Sequence, residues 1–291
     1  MRMKHINTAA VIPSQGIGDA LLMMIAAHRL LKEGVQVTVY HPVLGELHEW
    51  FPGHRFEAPP AHELWKEMFS RYDLIVFQND NSAKREVLAR ERLSVFYSSY
   101  SETKHGPLSP LDQVFDPCLP MADNVARGIA KVLGSGDLSK DNGIRPAEYL
   151  VHQRRKNRVL LHTTSSDEAK NWPQGKFFRL AKQLARRGYE PVVLPVFPTL
   201  SALAAYVYES GYVVGNDSLA GHLASNLRIP TLIIADDEKR MRLWRPGWLP
   251  GEVVTPPPWV PNVKGLRLRE RRWHWFVSPR RVMQTFLASV Q

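Results

Sequence analysis

The sequence of 291 residues predicts a soluble α/β protein of two domains, each built around a mainly parallel β-sheet. Three observations lead to this prediction: a length that allows two ordinary domains, a globular composition, and short apolar runs that alternate with amphipathic stretches. Hydrophobic residues make up 44% of the chain and charged residues 23%, which excludes the disordered and fibrous classes.

The apolar runs predict strands, and the amphipathic stretches between them predict helices. In the first half, strands are predicted at residues 9–13, 35–40, 73–78 and 93–98, and helices at residues 19–33, 62–71 and 82–92. In the second half, strands are predicted at residues 159–163, 190–196, 212–215 and 231–235, and helices at residues 174–187, 200–210 and 218–227. This alternation is typical of two Rossmann-like units in tandem.

The boundary between the domains is predicted within residues 134–157, where glycine, serine, asparagine and proline accumulate before a basic run. We therefore expect an N-terminal domain over residues 1–150 and a C-terminal domain over residues 151–277. A final helix is expected over residues 278–291, because a serine and a proline at its start supply a cap and a first-turn proline.

The positive charge is concentrated in the second half of the chain. Residues 1–150 carry 16 Lys and Arg against 18 Asp and Glu, whereas residues 151–291 carry 22 against 10. The net charge of +10 therefore comes from the second domain. A basic domain suits an anionic partner, which could be a nucleoside diphosphate, a nucleic acid or an acidic membrane surface.

Cysteine usage and hydropathy predict a cytoplasmic protein. Cys118 is the only cysteine, which excludes an internal disulfide and a metal site built from cysteines. The longest mostly apolar stretch, residues 20–31, contains His28 and Arg29 and is shorter than the roughly 20 residues that a membrane-spanning helix needs. It predicts a buried helix, and no signal-like segment precedes it.

A glycine turn follows the first predicted strand and leads directly into a helix. The turn contains Gln15, Gly16 and Gly18, and Asp19 lies in the first turn of the helix. At the carboxyl edge of a parallel sheet, such a turn presents backbone N–H groups and one carboxylate to a ligand. The alternative is structural, because an acid at a helix start is stabilised by the helix dipole.

Two segments of the second half place small polar residues where a strand turns into a helix. After the strand at residues 159–163 come Thr164, Ser165 and Lys170, whose hydroxyl and ammonium groups can contact phosphate oxygens. After the strand at residues 212–215 comes a helix start whose N–H groups suit a diphosphate. The alternatives are a solvated lysine at position 170 and a core histidine at position 222.

Together these segments resemble the family 9 glycosyltransferases, the ADP-heptose:lipopolysaccharide heptosyltransferase type. The resemblance rests on three motifs in order: Gly-Asp-Ala-Leu-Leu at residues 18–22, Lys-x-Trp-Pro at residues 170–173, and Gly-Asn-Asp-Ser at residues 215–218 followed by Gly-His-Leu-Ala at residues 221–224. It implies the GT-B fold, in which two Rossmann-like domains face each other. It also implies that the acceptor rests on the first domain, that the nucleotide sugar rests on the second, and that the final helix packs back on the first domain.

The resemblance implies an inverting transfer to a lipopolysaccharide-core or other glycan acceptor, in the cytoplasm or at the inner face of the plasma membrane. Asp19 would be the base, because a carboxylate is ionised at neutral pH and can take the proton of the acceptor hydroxyl. The residues expected to form the acceptor or phosphate turn are Gln15, Gly16 and Gly18. The residues expected to contact the donor are Thr164, Ser165, Lys170, Asp217, Ser218, Leu219, Ala220, Gly221 and His222. The donor would be a nucleoside-diphosphate sugar such as ADP-heptose, and no cofactor or metal is expected.

The chain departs from the family at three places in the second domain. The family has Asp-Thr-Gly where this chain has Asp217-Ser218-Leu219, so we expect Leu219 to crowd a turn that glycine would open. Residues 195–198 lead directly into the next helix, where the family has a further helix and strand, so the second sheet is expected to be smaller. The family's Gly-Pro-Thr loop is replaced by residues 235–240, which leaves the identity of the donor sugar open.

Residues 264–281 carry seven basic residues against Glu270, together with Trp273, Trp275 and Phe276. One interpretation is packing between the domains; the other is attachment to an anionic inner-membrane surface. Two other functions stay open: a non-enzymatic nucleic-acid-binding protein, suggested by the sequence pI of 9.8, and a nucleotide-sugar epimerase or hydrolase on the same fold.

Overall fold

The computed structural model describes residues 6–78, 88, 90–165, 167–261 and 268–290. The chain divides into two compact units, Met1–Arg145 and Pro146–Gln291. This boundary lies within the predicted linker, five residues before the predicted end of the first domain. Each unit has its own parallel sheet, so the two-unit α/β fold class predicted from the sequence is confirmed.

The described part of the first unit contains a six-stranded sheet. Its strands are β1 (Thr8–Ile12), β2 (Gln36–Tyr40), β3 (Arg55–Glu57), β4 (Leu74–Gln78), β5 (Leu93–Tyr97) and β6 (Gln113–Val114). Its helices are α1 (Ile17–Lys32), α2 (Trp65–Ser70), α3 (Glu102–His105) and α4 (Met121–Leu133). The order across the sheet is β3–β2–β1–β4–β5–β6. This is the Rossmann order, in which ligands bind at the carboxyl ends of β1 and β4.

The apolar stretch at residues 20–31 forms most of α1, which is a buried helix as predicted. Every side chain from Ala20 to Ala27 is buried. α1 contacts β1 and β2 of the sheet and also α4, so apolar side chains on several of its faces are covered. This packing fixes the first turn of α1 just beyond the carboxyl end of β1.

The described part of the second unit contains a five-stranded sheet. Its strands are β7 (Arg155–His162), β8 (Glu190–Val193), β9 (Ser210–Asn216), β10 (Thr231–Ile234) and β11 (Glu252–Val254). Its helices are α5 (Gln174–Ala185), α6 (Leu200–Tyr208), α7 (Leu219–Asn226), α8 (Glu238–Trp244), α9 (Leu268–Arg271), α10 (Trp273–Phe276) and α11 (Pro279–Ser289). The order β11–β10–β9–β7–β8 places the ligand-binding switch point between β7 and β9.

The final helix, α11, packs in the core of the second unit. Its buried residues Val282, Met283 and Phe286 share one hydrophobic cluster with Val159 of β7 and Val214 of β9. We expected this helix to pack back on the first domain. Within the second unit, the apolar face of α11 packs between α5 and β11.

Sequence reasoning missed α4, the short helices α3, α8, α9 and α10, and the short strands β3, β6 and β11. The short strands have two or three residues, too few to show a period of two. α4 contains Gly128, which weakens a helical pattern, but a Cβ at this position would lie 2.9 Å from Cε2 of Phe96. The predicted helix at residues 82–92 lies mostly outside the described residues, and its end, Arg90–Arg92, forms a 3-10 turn.

Candidate functional site

The carboxyl edge of the first sheet carries Asp19, which is held by a buried glutamine. Asp19 is the third residue of α1, and its Oδ1 accepts a hydrogen bond of 3.0 Å from Nε2 of Gln78. Gln78 is the last residue of β4 and is 3% exposed. Its Oε1 accepts a hydrogen bond of 3.2 Å from the backbone N–H of Ser14. The amide therefore connects the turn after β1 to the carboxylate and orients both.

Gly16 lets the carboxylate lie over this turn. A Cβ at Gly16 would lie 2.7 Å from Oδ2 of Asp19, closer than van der Waals contact allows. Gly16 is also the N-cap of α1, so Asp19 does not occupy the capping position. In the same turn Gln15 is exposed and Gly18 is half-buried. Asp19 keeps the favourable position near the helix start, but its side chain bonds to a neighbouring strand.

His41, which follows β2, holds the same turn. Its Nδ1 accepts hydrogen bonds from the N–H groups of Val43 and Leu44, at 3.3 and 3.1 Å, so the ring proton lies on Nε2. Nε2 lies 3.2 Å from the carbonyl oxygen of Gln15 and donates to it. Burial lowers the pKa of His41, although the Gln15 carbonyl and the Asp19 carboxylate act in the opposite direction. The ring is therefore a neutral donor at pH 7.

In the second unit, an amide network joins the segments that follow β7 and β9. Oδ1 of Asn171 lies 2.9 Å from the Ser165 hydroxyl and accepts a hydrogen bond of 3.2 Å from Nδ2 of Asn216. Oδ1 of Asn216 accepts a hydrogen bond of 2.9 Å from the N–H of Trp172. Since Trp172 is fully buried, this network anchors the polar edge of the sheet to the hydrophobic core.

An ionic cluster lies at the same edge. Oδ2 of Asp217 is 3.8 Å from Nζ of Lys170 and 3.2 Å from Nη1 of Arg240. Arg240 also contacts Asp236, with Nη2 2.6 Å from Oδ1. The Asp217 side chain is 11% exposed, whereas those of Lys170 and Arg240 are 34% and 25% exposed. An anion that approaches this edge from solvent therefore meets two cations rather than the carboxylate.

Ser218 precedes α7 and bonds to a histidine at the end of β7. Its hydroxyl lies 2.6 Å from Nδ1 of His162, and burial lowers the pKa of His162. Ser218 makes no side-chain capping bond to α7. The N–H groups of Leu219, Ala220 and Gly221 have no acceptor within the helix because they belong to its first turn. The start of α7 is thus a partly positive end beside Lys170 and Arg240.

Leu219 fits this turn without left-handed backbone. Ser218 is extended, with φ −164° and ψ 176°. Among the described non-glycine residues, Gln153 and Arg228 have positive φ, and no residue of this turn does. The position therefore does not need the conformational freedom of glycine, and the expectation that the Leu219 side chain crowds a bound donor stays a prediction.

The remaining predicted donor residues differ in exposure. Thr164 is exposed, whereas Ala220, Gly221 and His222 are buried. A Cβ at Gly221 would lie 2.6 Å from Cδ1 of Ile233, so this glycine lets α7 pack against β10. Burial of His222 to 7% exposure favours a core role for its side chain. Ala220 and Gly221 have only backbone N–H groups to offer an anion.

Six polar residues that form the networks of these two edges were not selected as site residues from the sequence: His41, Gln78, His162, Asn171, Asn216 and Arg240. Gln78 and His162 each end a strand whose preceding residues are apolar and buried. A polar residue directly after an apolar run is visible in the sequence and could have identified both. Arg240 lies 23 positions after Asp217. No local pattern connects these two residues, and the neighbouring positions of β9 and β10 bring them together.

Among the described residues, no group of three or more His, Cys, Asp or Glu side chains is arranged to hold a metal ion. Asp236 and Asp237, the adjacent acids of the second unit, both have other partners. Asp236 pairs with Arg240, and Asp237 caps α8 by accepting from the N–H of Lys239 at 2.9 Å. Within the same ranges, every helix is too short or too polar to span a bilayer.

Several solved structures have the fold of this chain. A family 9 glycosyl transferase from Veillonella parvula aligns with a TM-score of 0.71 and 14% identity over 99% of this chain and 98% of the other. The heptosyltransferase WaaC of E. coli with ADP-2-deoxy-2-fluoro heptose aligns with a TM-score of 0.69 and 14% identity over 97% of this chain and 99% of the other. The ADP-heptose lipopolysaccharide heptosyltransferase II of E. coli aligns with a TM-score of 0.66 and 17% identity over 97% of this chain and 98% of the other.

No protein-family profile and no curated protein sequence matches the chain. At these identities the structural likeness establishes the fold, which is that of the GT-B glycosyltransferases. The GT-B fold class expected from the sequence motifs is therefore confirmed. Chemistry has to be argued from the side chains at the two sheet edges.

Proposed function

We propose that this protein is an inverting glycosyltransferase that moves heptose or a related sugar from a nucleoside-diphosphate sugar to a lipopolysaccharide-core or other glycan acceptor. The observation that carries the proposal is Asp217, flanked by Lys170 and Arg240 beside the start of α7. Proteins of the same fold include a heptosyltransferase solved with ADP and with ADP-2-deoxy-2-fluoro heptose. ADP-heptose is therefore the first donor to test.

In this proposal the diphosphate of the donor lies at the edge of the second sheet. Lys170 and Arg240 would each contact its oxygens, while the Asp217 carboxylate keeps the two cations at that edge in the absence of ligand. Ser165, Thr164 and the first N–H groups of α7 would supply neutral hydrogen bonds. When the bond from the anomeric carbon to the diphosphate breaks, the negative charge that develops on the leaving group is stabilised without rearrangement of the site.

Asp19 is the proposed base. The acceptor hydroxyl oxygen forms its bond to the anomeric carbon as its proton moves to the Asp19 carboxylate and the nucleoside diphosphate leaves with the bonding electrons. The Gln78 amide orients the carboxylate through Oδ1, and His41 holds the Gln15 carbonyl and with it the turn that contains Gly16. Pre-orientation of this kind avoids the cost of ordering the base during the reaction.

Metal independence and a cytoplasmic location remain predictions. The two cations at the second edge supply positive charge of the kind that a metal ion provides in other phosphate sites. A larger protein of the same fold, TibC from enterotoxigenic E. coli, is an iron-containing dodecameric glycosyltransferase, and it aligns with a TM-score of 0.62 over 100% of this chain and 79% of its own. Activity should therefore be assayed with and without a chelator.

A thermal-shift screen of nucleotide sugars, followed by a transfer assay with the donor that binds, tests the proposal. A ligand that binds only the folded state raises the melting temperature by mass action. We expect ADP-heptose and ADP to raise it, and we expect release of nucleoside diphosphate when a glycan acceptor is added. The absence of any shift across ADP, UDP, GDP and CMP sugars would contradict the proposal.

A further inference from the structure

Two helices of the second unit carry basic residues that have no acidic partner. Residues 174–189, which include α5, contain five Lys and Arg, and residues 277–291, which include α11, contain two; neither stretch contains Asp or Glu. Among the described residues none of these seven forms an ion pair, whereas Arg154, Lys170, Arg240 and Arg242 of the same unit do. This surface therefore lacks the mixed charge that usually balances a protein surface.

Two of the seven basic residues have structural roles and five are available to a partner. Lys176 donates to the carbonyl oxygens of His274 and Val277, and Arg281 donates to that of Thr255. The five exposed residues are Arg179, Lys182, Arg186, Arg187 and Arg280. Like charges on two neighbouring helices repel each other, and an anionic partner would offset this repulsion.

The arginines of the two helices meet at a groove. Arg186 and Arg187, which follow α5, and Arg280 of α11 line one cavity of about 720 Å³. Met283 and Leu287 of α11 supply its apolar lining. The groove thus combines guanidinium groups, which bind phosphate oxygens, with an apolar surface. A free phosphate has no apolar group to contact that surface, whereas a phospholipid has.

Exposed aromatic side chains accompany these charges. Phe178 of α5 is 62% exposed, and Nζ of Lys182 lies 4.5 Å from the centre of its ring. Trp275 is 61% exposed, with the Arg272 guanidinium 4.9 Å from its ring. Lys176 of α5 bonds to the carbonyl of His274, so the start of α5 lies beside the segment that carries Trp275. Aromatic rings beside cations are typical of surfaces that rest at the boundary between water and lipid.

We propose that α5 and α11 form a docking surface for an anionic phospholipid membrane. Lipid phosphate groups would occupy the groove of Arg186, Arg187 and Arg280, and Phe178 would insert among the upper acyl carbons. This surface shares Arg280 with the segment at residues 264–281 that the sequence suggested, but most of its basic residues lie on or just after α5. In that segment, Trp273 is 2% exposed in the core of the second unit, and Arg269 bonds to the carbonyl oxygens of Pro258 and Val260. The inference does not depend on the transfer reaction.

Vesicle flotation with the full-length protein tests this proposal. We expect binding to vesicles of phosphatidylcholine mixed with phosphatidylglycerol, little binding to phosphatidylcholine alone, and loss of binding as salt is raised. The variant Arg186→Gln/Arg187→Gln/Arg280→Gln should bind at least tenfold more weakly, since each basic residue near an anionic surface contributes about 1 kcal/mol. Phe178→Ala should weaken binding several-fold without a change in charge.

The matched control is Arg155→Gln/Lys156→Gln/Arg245→Gln, which removes the same charge from exposed residues of the same unit. It should bind within about twofold of the wild type, and both triple variants should melt close to the wild-type temperature. Equal losses in the two triple variants would assign binding to net charge and overturn the proposal. Lack of binding by the wild type would also overturn it, and so would tight binding of single-stranded RNA with no binding to vesicles.

Discussion

The two sheet edges of this protein have the same architecture and opposite chemistry. In the described part of the first unit, the ends of β1, β2 and β4 place the Asp19 carboxylate against the amide of Gln78, and the imidazole of His41 holds the turn beside it. In the second unit, the ends of β7, β9 and β10 hold Lys170 and Arg240 around Asp217. One edge therefore offers a base with oriented lone pairs, and the other offers positive charge.

In the proposed function, this difference lets one fold supply the two halves of a transfer reaction. In both units the parallel sheet brings the residues at its strand ends to one carboxyl edge. The identity of these residues then determines whether the edge binds an anion or accepts a proton. The charge asymmetry of the sequence agrees with this division, because the basic residues are concentrated in the second half. The predictions below test whether the division is real.

The largest expected effect is the loss of transfer activity in Asp19→Asn. The amide keeps the shape of the side chain but cannot take a proton, so transfer should fall by about 100-fold or more. The matched control is Asp123→Asn, which removes a first-turn acid from α4 in the same unit. If both variants kept wild-type turnover, Asp19 would have only a structural role at the start of α1.

The next effect is weaker binding of nucleoside diphosphate in Lys170→Ala and Arg240→Gln. A charge-assisted hydrogen bond contributes about 1.5–3 kcal/mol, so calorimetry should give a dissociation constant at least about tenfold higher for each variant. Arg242→Gln is the control, because Arg242 lies on the same helix and pairs with Glu238 on the surface. Equal affinities for all four proteins would place the diphosphate elsewhere.

A smaller effect is expected from Gln78→Leu, which tests the neutral network of the first edge. The change leaves the N–H of Ser14 without its side-chain acceptor and removes the hydrogen bond that Gln78 donates to Asp19. The free energy of unfolding should fall by about 1–3 kcal/mol, the cost of unsatisfied buried polar groups. Urea denaturation measures this, with Gln36→Leu, at an exposed position of β2, as the control. An unchanged midpoint would show that the amide does not hold this turn.

An effect that is absent at neutral pH is a dependence of stability on pH in the first unit. Burial lowers the pKa of His54 to about 4, below the ordinary value of about 6.5, so the unfolded chain binds more protons than the folded one between these values. Stability should be complete above pH 7 and fall as the pH drops from 6.5 towards 4. The melting temperature of His54→Phe should fall less over this range than that of the wild type. If the melting temperatures of the two proteins fell equally with pH, His54 would not be the source of this pH dependence.

The sequence predicted the elements that carry the sites because their hydrophobic patterns are strong. β1, β4 and α1 lie in apolar runs, and the turn at Gly16 follows from its position between a strand and a helix. The contacts between strand ends were not predictable, because Gln78 lies 59 positions from Asp19 and Arg240 lies 23 from Asp217. The packing of α11 against α5 and β11 was also not predictable, since its amphipathic pattern shows that it has an apolar face but not what covers that face.

The most direct test of the division between the two edges is the affinity of Asp19→Asn for ADP, measured by isothermal titration calorimetry beside its transfer activity. We predict a dissociation constant within about twofold of the wild-type value, together with a loss of transfer of about 100-fold or more. A variant that loses ADP affinity in proportion to its activity would contradict the account, because Asp19 would then serve donor binding rather than proton transfer.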